Sequence, residues 1–150
     1  MTPISIAILP PDRWEAFQKI RLASLANEPR YEKNHREEAQ LGETFWRSNI
    51  KYGVFALAGD EPVGLVLYTI DPPDNAKVYG LYVDAAWRRQ GIGGRLFERV
   101  LGLIAENEHV SRLTLNVDPS LHHAVCLYKR HGFAGAGDVR NGELPMEKRL

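Results

Sequence analysis

The sequence predicts an α/β protein, a mixed sheet with helices on its faces. Three observations carry that expectation. Short apolar or alternating runs of strand length recur along the 150 residues. Stretches with apolar residues at helical spacing lie between them. The two kinds interleave in the order β-α-α-β-β-β-α-β-α-β-β, which puts helices between strands that share a sheet.

Taken in order, Ile4 to Leu9 alternates apolar with small residues, ends at Pro10-Pro11, and reads as a first strand. Asp12 is placed to cap a helix carrying Trp14, Phe17, Ile20, Arg21 and Leu25, which Pro29 ends. Arg30 to Glu43 is charged and mixed in sign. It predicts a loop and the start of a second helix, whose apolar residues are Leu41, Phe45, Trp46 and Ile50. Gly53 to Ala58 and Pro62 to Ile70 read as strands joined by the short turn "AGDEP". "DPPDN" at 71 to 75 is a stronger turn signal, since Pro fixes φ and Asp and Asn bond the local backbone. Lys77 to Asp84 is apolar on both parities, as expected of a central strand covered on both faces.

A helix follows with Leu96, Phe97, Val100, Leu101 and Ile104 on one face. Arg112 to Val117 alternates as a strand. Ser120 is a candidate cap for a helix carrying Leu121, Ala124, Val125 and Tyr128, and Gly132 is its stop. Phe133 to Ala136 and Leu144 to Arg149 read as two last strands around the turn "RNG".

Composition narrows the class. The chain is 44% apolar and 25% charged, ordinary for a globular protein. Nineteen basic residues balance 19 acidic ones, which argues against a nucleic-acid partner held by a global basic field. Cys126 is the single cysteine, so no internal disulfide forms, in keeping with a reducing compartment. The start of the chain has no basic, apolar leader pattern. No run approaches the roughly 18 apolar residues of a membrane span. The expectation is one cytoplasmic domain over residues 1–150, without nucleic-acid or membrane partners.

The chemistry concentrates in "AAWRRQGIGGRLFERVL", residues 85 to 101. Glycines before a helix let a ligand approach the backbone, because no Cβ stands in the way. The first turn of a helix presents unpaired N–H groups and a partial positive charge. Arg88, Arg89 and Arg95 add full charges around them, so the stretch reads as a pyrophosphate cradle. The dinucleotide fingerprint fails on spacing, since it needs a glycine where Leu96 stands. The ATP-binding loop also fails, because Arg95-Leu96 follows its last glycine instead of Lys and Ser or Thr.

This stretch resembles the central motif of the GNAT superfamily of N-acetyltransferases, with Arg88, Gly91 and Gly93 at its defined positions. "AVCLYKRHGF" is similar to the family's second signature through Ala124, Leu127, Tyr128, Gly132 and Phe133. The order of elements matches as well, so the resemblance spans nearly the whole chain. It implies an acyl-CoA N-acyltransferase fold and acetyl-CoA as cofactor, with CoA as product. It implies that backbone amides across Arg89, Gln90, Gly91, Ile92, Gly93, Gly94 and Arg95 hold the pyrophosphate. It further implies that pantetheine lies between Leu81, Tyr82 and Val83 on the central strand and Asn116 on the next. A backbone N–H near Leu81 to Val83 then meets the acetyl carbonyl, an oxyanion-hole-type contact. Tyr128 becomes the general acid that protonates the departing thiolate.

Two positions depart from the family pattern. Many members carry a carboxylate base on the central strand, where this chain has Val78, Tyr79 and Gly80. The base is left to Tyr79, a water chain or an acid from the 30 to 43 segment. Leu121 stands where an asparagine is frequent. Tyr31, Glu32, Glu37 and Glu38 fall in the family's acceptor-binding region and are candidates, with Tyr79, to hold a cationic amine. His122, His123 and Cys126 share helical spacing, but without a further Cys/His cluster no metal site is expected and Cys126 reads as a small buried thiol. His109 and His131 read as solvent-facing. Trp14, Phe17 and Trp46 read as core.

The resulting expectation is an N-acetyltransferase moving acetyl directly from CoA to a primary amine of a small molecule, polyamine-like or amino-acid-like. A protein lysine or N-terminal amine is the alternative acceptor, and a non-catalytic acyl-CoA-binding module the alternative class. The resemblance also allows a homodimer.

Overall fold

In the computed structural model, which describes residues 2–150, the strands are β1 (Ile4–Ala7), β2 (Gly53–Ala58), β3 (Glu61–Asp71), β4 (Asn75–Val83), β5 (Arg112–Val117), β6 (Ala134–Gly135) and β7 (Leu144–Arg149). The α-helices are α1 (Trp14–Ala26), α2 (Glu32–Ala39), α3 (Glu43–Asn49), α4 (Ile92–Ala105) and α5 (His122–Arg130). The strands hydrogen-bond in the order β1-β2-β3-β4-β5-β7-β6. The sheet is mixed: β4 runs parallel to β5, and β1–β2, β2–β3, β5–β7 and β6–β7 are antiparallel. This is the α/β class that the sequence predicts, with three helices rather than two between β1 and β2. Among the described residues no helix is long and apolar enough to cross a membrane.

The chain falls into two compact units. One takes residues up to Leu67 with Gly80–Val100, and the other takes Tyr68–Tyr79 with Leu101–Leu150. The core of the first is built from Leu9, Phe17, Ile20, Trp46, Ile50, Phe55, Leu57, Leu65 and Leu67. Phe17 sits edge-on to Trp46 at 5.0 Å and to Phe55 at 5.7 Å between ring centroids, an arrangement that suits the ring quadrupoles. Trp46 is fully buried and its indole N–H donates to the Leu41 carbonyl at 3.2 Å, so the ring's one polar group is satisfied. In the second unit, β5 and β7 pair from Arg112↔Arg149 to Val117↔Leu144. Their inward residues Leu113, Leu115, Val117 and Met146 are buried, and Thr114 and Asn116 face the other way.

The structure corrects several local expectations. β1 ends at Ala7 rather than Leu9, and Pro11–Arg13 forms a 3₁₀ turn that leads into α1. Asp12 lies inside that turn, and Arg13, not Asp12, occupies the N-cap position. Ser120 does not cap α5 either. Its hydroxyl donates to Asp118 at 2.7 Å, and Leu121 stands at the N-cap. Cys126 is exposed, because it lies two residues from the buried Tyr128, about 200° around a helix, so it faces away from Tyr128. His131 is half-buried, with Nδ1 2.9 Å from the Leu127 carbonyl oxygen.

The largest correction concerns the charged segment. It holds a complete helix, α2, rather than a loop. None of its residues is buried, and its polarity runs all round. Such a helix needs side-chain pairs to stabilise it. Glu32–Arg36 at 3.7 Å and Lys33–Glu37 at 3.8 Å supply i,i+4 pairs, each worth a few tenths of a kcal/mol. Glu38 adds a tertiary tie. Its two carboxylate oxygens accept from Nε and Nη2 of Arg21 at 3.0 and 3.1 Å.

The strand β4 is the fourth of seven, as a central strand should be. Its two-sided cover is incomplete, because Ala76 and Val78 are buried while Tyr79 is exposed. The alternation then stops at Gly80, whose φ of +70° breaks the pleat, and Leu81, Tyr82 and Val83 are all half-buried.

Candidate active site

Backbone geometry defines the site. After β4, Asp84 N–H donates to Val63 O at 2.8 Å, Ala85–Trp87 forms a 3₁₀ turn, and Arg88 leads into the glycine stretch. Arg88 Nε donates to the Val83 carbonyl at 2.8 Å, and its guanidinium lies 5.8 Å from the Tyr82 ring centroid. The start of the loop is thereby tied to the end of β4. Arg89 and Gly91 both adopt left-handed backbone, with φ of +64° and +77°. That turns the chain sharply enough for α4 to begin at Ile92.

The first turn of α4 contains Ile92, Gly93, Gly94 and Arg95. The amide of Arg95 finds the Gly91 carbonyl at 3.2 Å. The amides before it are in the positions that lack intrahelical acceptors. Ile92 is buried, so its side chain anchors the helix in the core and only its backbone is available to a ligand. A Cβ at Gly91 or at Gly93 would meet nothing within 4 Å. At Gly91 the positive φ explains glycine. At Gly93 neither strain nor packing does, and the open space before the amides fits a bulky anion held against bare backbone.

The other predicted cofactor contacts take the following places. Leu81, Tyr82 and Val83 are the half-buried end of β4, and Tyr82 rests against the core of its unit. Burial, helped by the Asp84 carboxylate, raises the Tyr82 phenol above its ordinary pKa, and Arg88 opposes that only in part. Gln90 is exposed. Arg95 is exposed and donates from Nη2 to the Ile4 carbonyl at 3.0 Å, so it also ties α4 to β1. In the second unit, Asn116 is exposed on β5 opposite Pro145.

Tyr128 is buried on α5 with its ring edge-on to Phe133 at 6.4 Å. Its carbonyl accepts from Phe133 N–H at 3.1 Å across the left-handed Gly132, φ +91°. The signature residues Tyr128, Gly132 and Phe133 thus form one helix-terminating unit.

The acceptor candidates divide. Glu32 and Glu37 are exposed on α2, and Tyr31 is half-buried in the 3₁₀ turn Pro29–Tyr31 with the Arg30 guanidinium 5.8 Å from its ring centroid. Tyr79 is exposed on β4. Glu38 is engaged with Arg21. The sequence reading missed the importance of Arg21 and Gly80. Both had a signal: an arginine inside an apolar helical stripe marks a buried charge, and a glycine inside a strand marks a bulge or a close approach.

Comparison with known proteins identifies the family. The model of the acetyltransferase (GNAT) family matches residues 14–133. The spermine/spermidine N(1)-acetyltransferase of Bacillus subtilis is 28% identical over 96 residues, 59% of this chain. The chain spans 63% of the length of that relative. The PaiA N-acetyltransferase from Thermoplasma acidophilum, solved in complex with coenzyme A, superposes with a TM-score of 0.77 at 18% identity over 99% of both chains. An acetyltransferase of the GNAT family from Streptococcus pneumoniae superposes with a TM-score of 0.78 at 18% identity, over 99% of this chain and 100% of that one. At that identity the two structures establish the fold. With the family model covering most of the sequence, the chain belongs to the acetyltransferase (GNAT) family.

Proposed function

We propose that this chain is an acetyl-CoA-dependent N-acetyltransferase acting on a primary amine of a small molecule, with residues 1–150 serving as one catalytic domain. The observation that carries the reading is Gly93, a helical glycine with open space where its Cβ would be. The amides of Arg89 to Arg95 hold the pyrophosphate, with Arg88 and Arg89 adding charge. Backbone groups of Leu81, Tyr82 and Val83 hold pantetheine, and the family resemblance gives Asn116 as a further contact.

Acetyl-CoA supplies an activated acyl group with a good leaving thiolate. The chain's residues do the rest. A backbone N–H at Leu81 to Val83 donates to the acyl oxygen as negative charge develops there. Tyr128 would give its proton to the sulfur as the acyl C–S bond breaks, and would regain one from the nitrogen that has added to the acyl carbon. Tyr82, whose phenol burial raises above its ordinary pKa, serves as a wall. The proton of the incoming ammonium leaves through Tyr79 or water. Tyr31, Glu32 and Glu37 attract a cationic acceptor.

A polyamine-like acceptor is supported by the relative named for spermine and spermidine. The test is release of CoA thiol from acetyl-CoA with spermidine, set against an alanine-terminated peptide and a lysine peptide. Turnover with spermidine well above both peptides is expected. Preference for a peptide would move the acceptor to protein amines. Acetyl-CoA binding without turnover on any amine would leave a non-catalytic binding module.

A further inference from the structure

Arg21 sits on α1 in the apolar stripe, yet it is buried and charged. Its Nε and Nη2 donate to the two oxygens of Glu38 on α2, at 3.0 and 3.1 Å. The third nitrogen, Nη1, lies 3.0 Å from where a Cβ on Gly80 would be. Gly80 is the residue at φ +70° that ends the alternation of β4, just before Leu81 to Val83. One guanidinium therefore meets both α2 and the left-handed residue that interrupts β4.

A planar bidentate pair fixes orientation as well as distance, which a lysine could not reproduce. Simple packing does not call for a charge here, since a hydrophobic residue of similar volume often stabilises as well as a buried ion pair.

We infer that Arg21 and Glu38 are positioning residues, holding α2 and the left-handed Gly80 so that the acceptor amine and the Leu81–Val83 amides meet in reactive geometry. This rests on the transferase reading of the site. Neither side chain touches the reacting atoms. They act through helix α2 and the backbone at Gly80, and a displacement near 1 Å there would slow turnover by up to about 10²-fold.

The experiment uses the full chain and the variants Glu38→Gln, Arg21→Gln and the double variant. Glu38→Gln keeps shape and one acceptor, so it remains informative if Arg21→Gln fails to fold. Acetyl-CoA affinity is read by calorimetry, turnover with spermidine by thiol release, and exchange of the Leu81 to Val83 amides by hydrogen–deuterium exchange. The expected result is acetyl-CoA affinity within threefold of wild type, kcat lower by about ten- to a hundredfold, faster exchange at Leu81 to Val83 than at β2, and a double variant no worse than the worse single. Unchanged exchange at Leu81 to Val83 in a folded Glu38→Gln would overturn the inference. So would wild-type kcat in that variant. The exchange readout needs no turnover, so a failure of the transferase reading (no acetylation by wild type) is distinguishable from a failure of this one.

Discussion

Arg88 donates its Nε–H to the carbonyl of Val83 at 2.8 Å, closing the glycine loop back onto the end of β4. One side chain thus links the cradle to the strand end proposed to carry pantetheine. Replacing Arg88 by Ala removes that tie and a charge. The pair is exposed, so the cost to folding is small. Acetyl-CoA affinity is expected to fall about fivefold to tenfold, the scale of one lost hydrogen bond near 1 kcal/mol. Calorimetry checks it, and unchanged affinity would remove Arg88 from the cradle.

Gly91 and Gly93 should separate under the same substitution. Ala at Gly91 must adopt φ near +77°, which costs about 1–2 kcal/mol, so the unfolding temperature should drop. Ala at Gly93 meets nothing within 4 Å and joins a helix, where Ala is favoured over Gly by about 1 kcal/mol. Thermal unfolding of the two variants reads the contrast. A lowered midpoint for Gly93→Ala would mean that packing, and not a ligand, explains the glycine.

Gly64 allows β3 to lie close to β4. A Cβ there would come 2.9 Å from the Tyr82 carbonyl oxygen and 3.3 Å from Leu96 Cδ1. The oxygen belongs to backbone and cannot swing aside. Gly64→Ala is expected to cost about 1–3 kcal/mol, seen as a lower denaturant midpoint. An unchanged midpoint would show that the two strands can part without penalty.

Tyr82 titrates above its ordinary pKa, because burial and Asp84 disfavour the phenolate. The unfolded chain ionises this phenol first as pH rises past about 10. Folding stability from Tyr82 is therefore complete below that pH and declines as pH climbs toward the raised folded value. Ultraviolet titration of phenolate should show a late-ionising tyrosine that Tyr82→Phe removes. If the spectra of the two proteins coincide apart from one ordinary tyrosine, burial does not protect this phenol.

Tyr128→Phe keeps the ring that meets Phe133 and removes only the hydroxyl. A general acid is worth about 10²–10⁴-fold, so kcat should fall by that range with acetyl-CoA affinity preserved. Steady-state kinetics beside calorimetry gives both numbers. Wild-type kcat would assign Tyr128 to the core alone.

The glycine stretch was legible in sequence because its chemistry is backbone chemistry. The left-handed Gly91, the unhindered Gly93 and the helix after them follow from local sequence without any long-range contact. The limits of β2, β5 and β7 were legible for a similar reason, since their patterns of burial are local. Helix α2 was not legible. It has no apolar face to give a period, and its stability comes from Glu32–Arg36, Lys33–Glu37 and the tie from Glu38 to Arg21. The left-handed backbone at Gly80 was hidden because glycine in a strand marks several outcomes. Only the approach of Arg21, far away in sequence, selects among them. The caps failed at Ser120 because its hydroxyl had a nearer partner in Asp118.

The most direct test is calorimetric titration of acetyl-CoA into wild type and Gly93→Asp. Asp in the first turn of α4 suits the helix dipole, so the variant should fold at least as well. Its carboxylate would occupy the open space and repel the pyrophosphate. Saturable binding by wild type and none by the folded variant is the expected result. A folded wild type that does not bind acetyl-CoA, or a Gly93→Asp that binds it equally, would contradict the cradle and the transferase reading built on it.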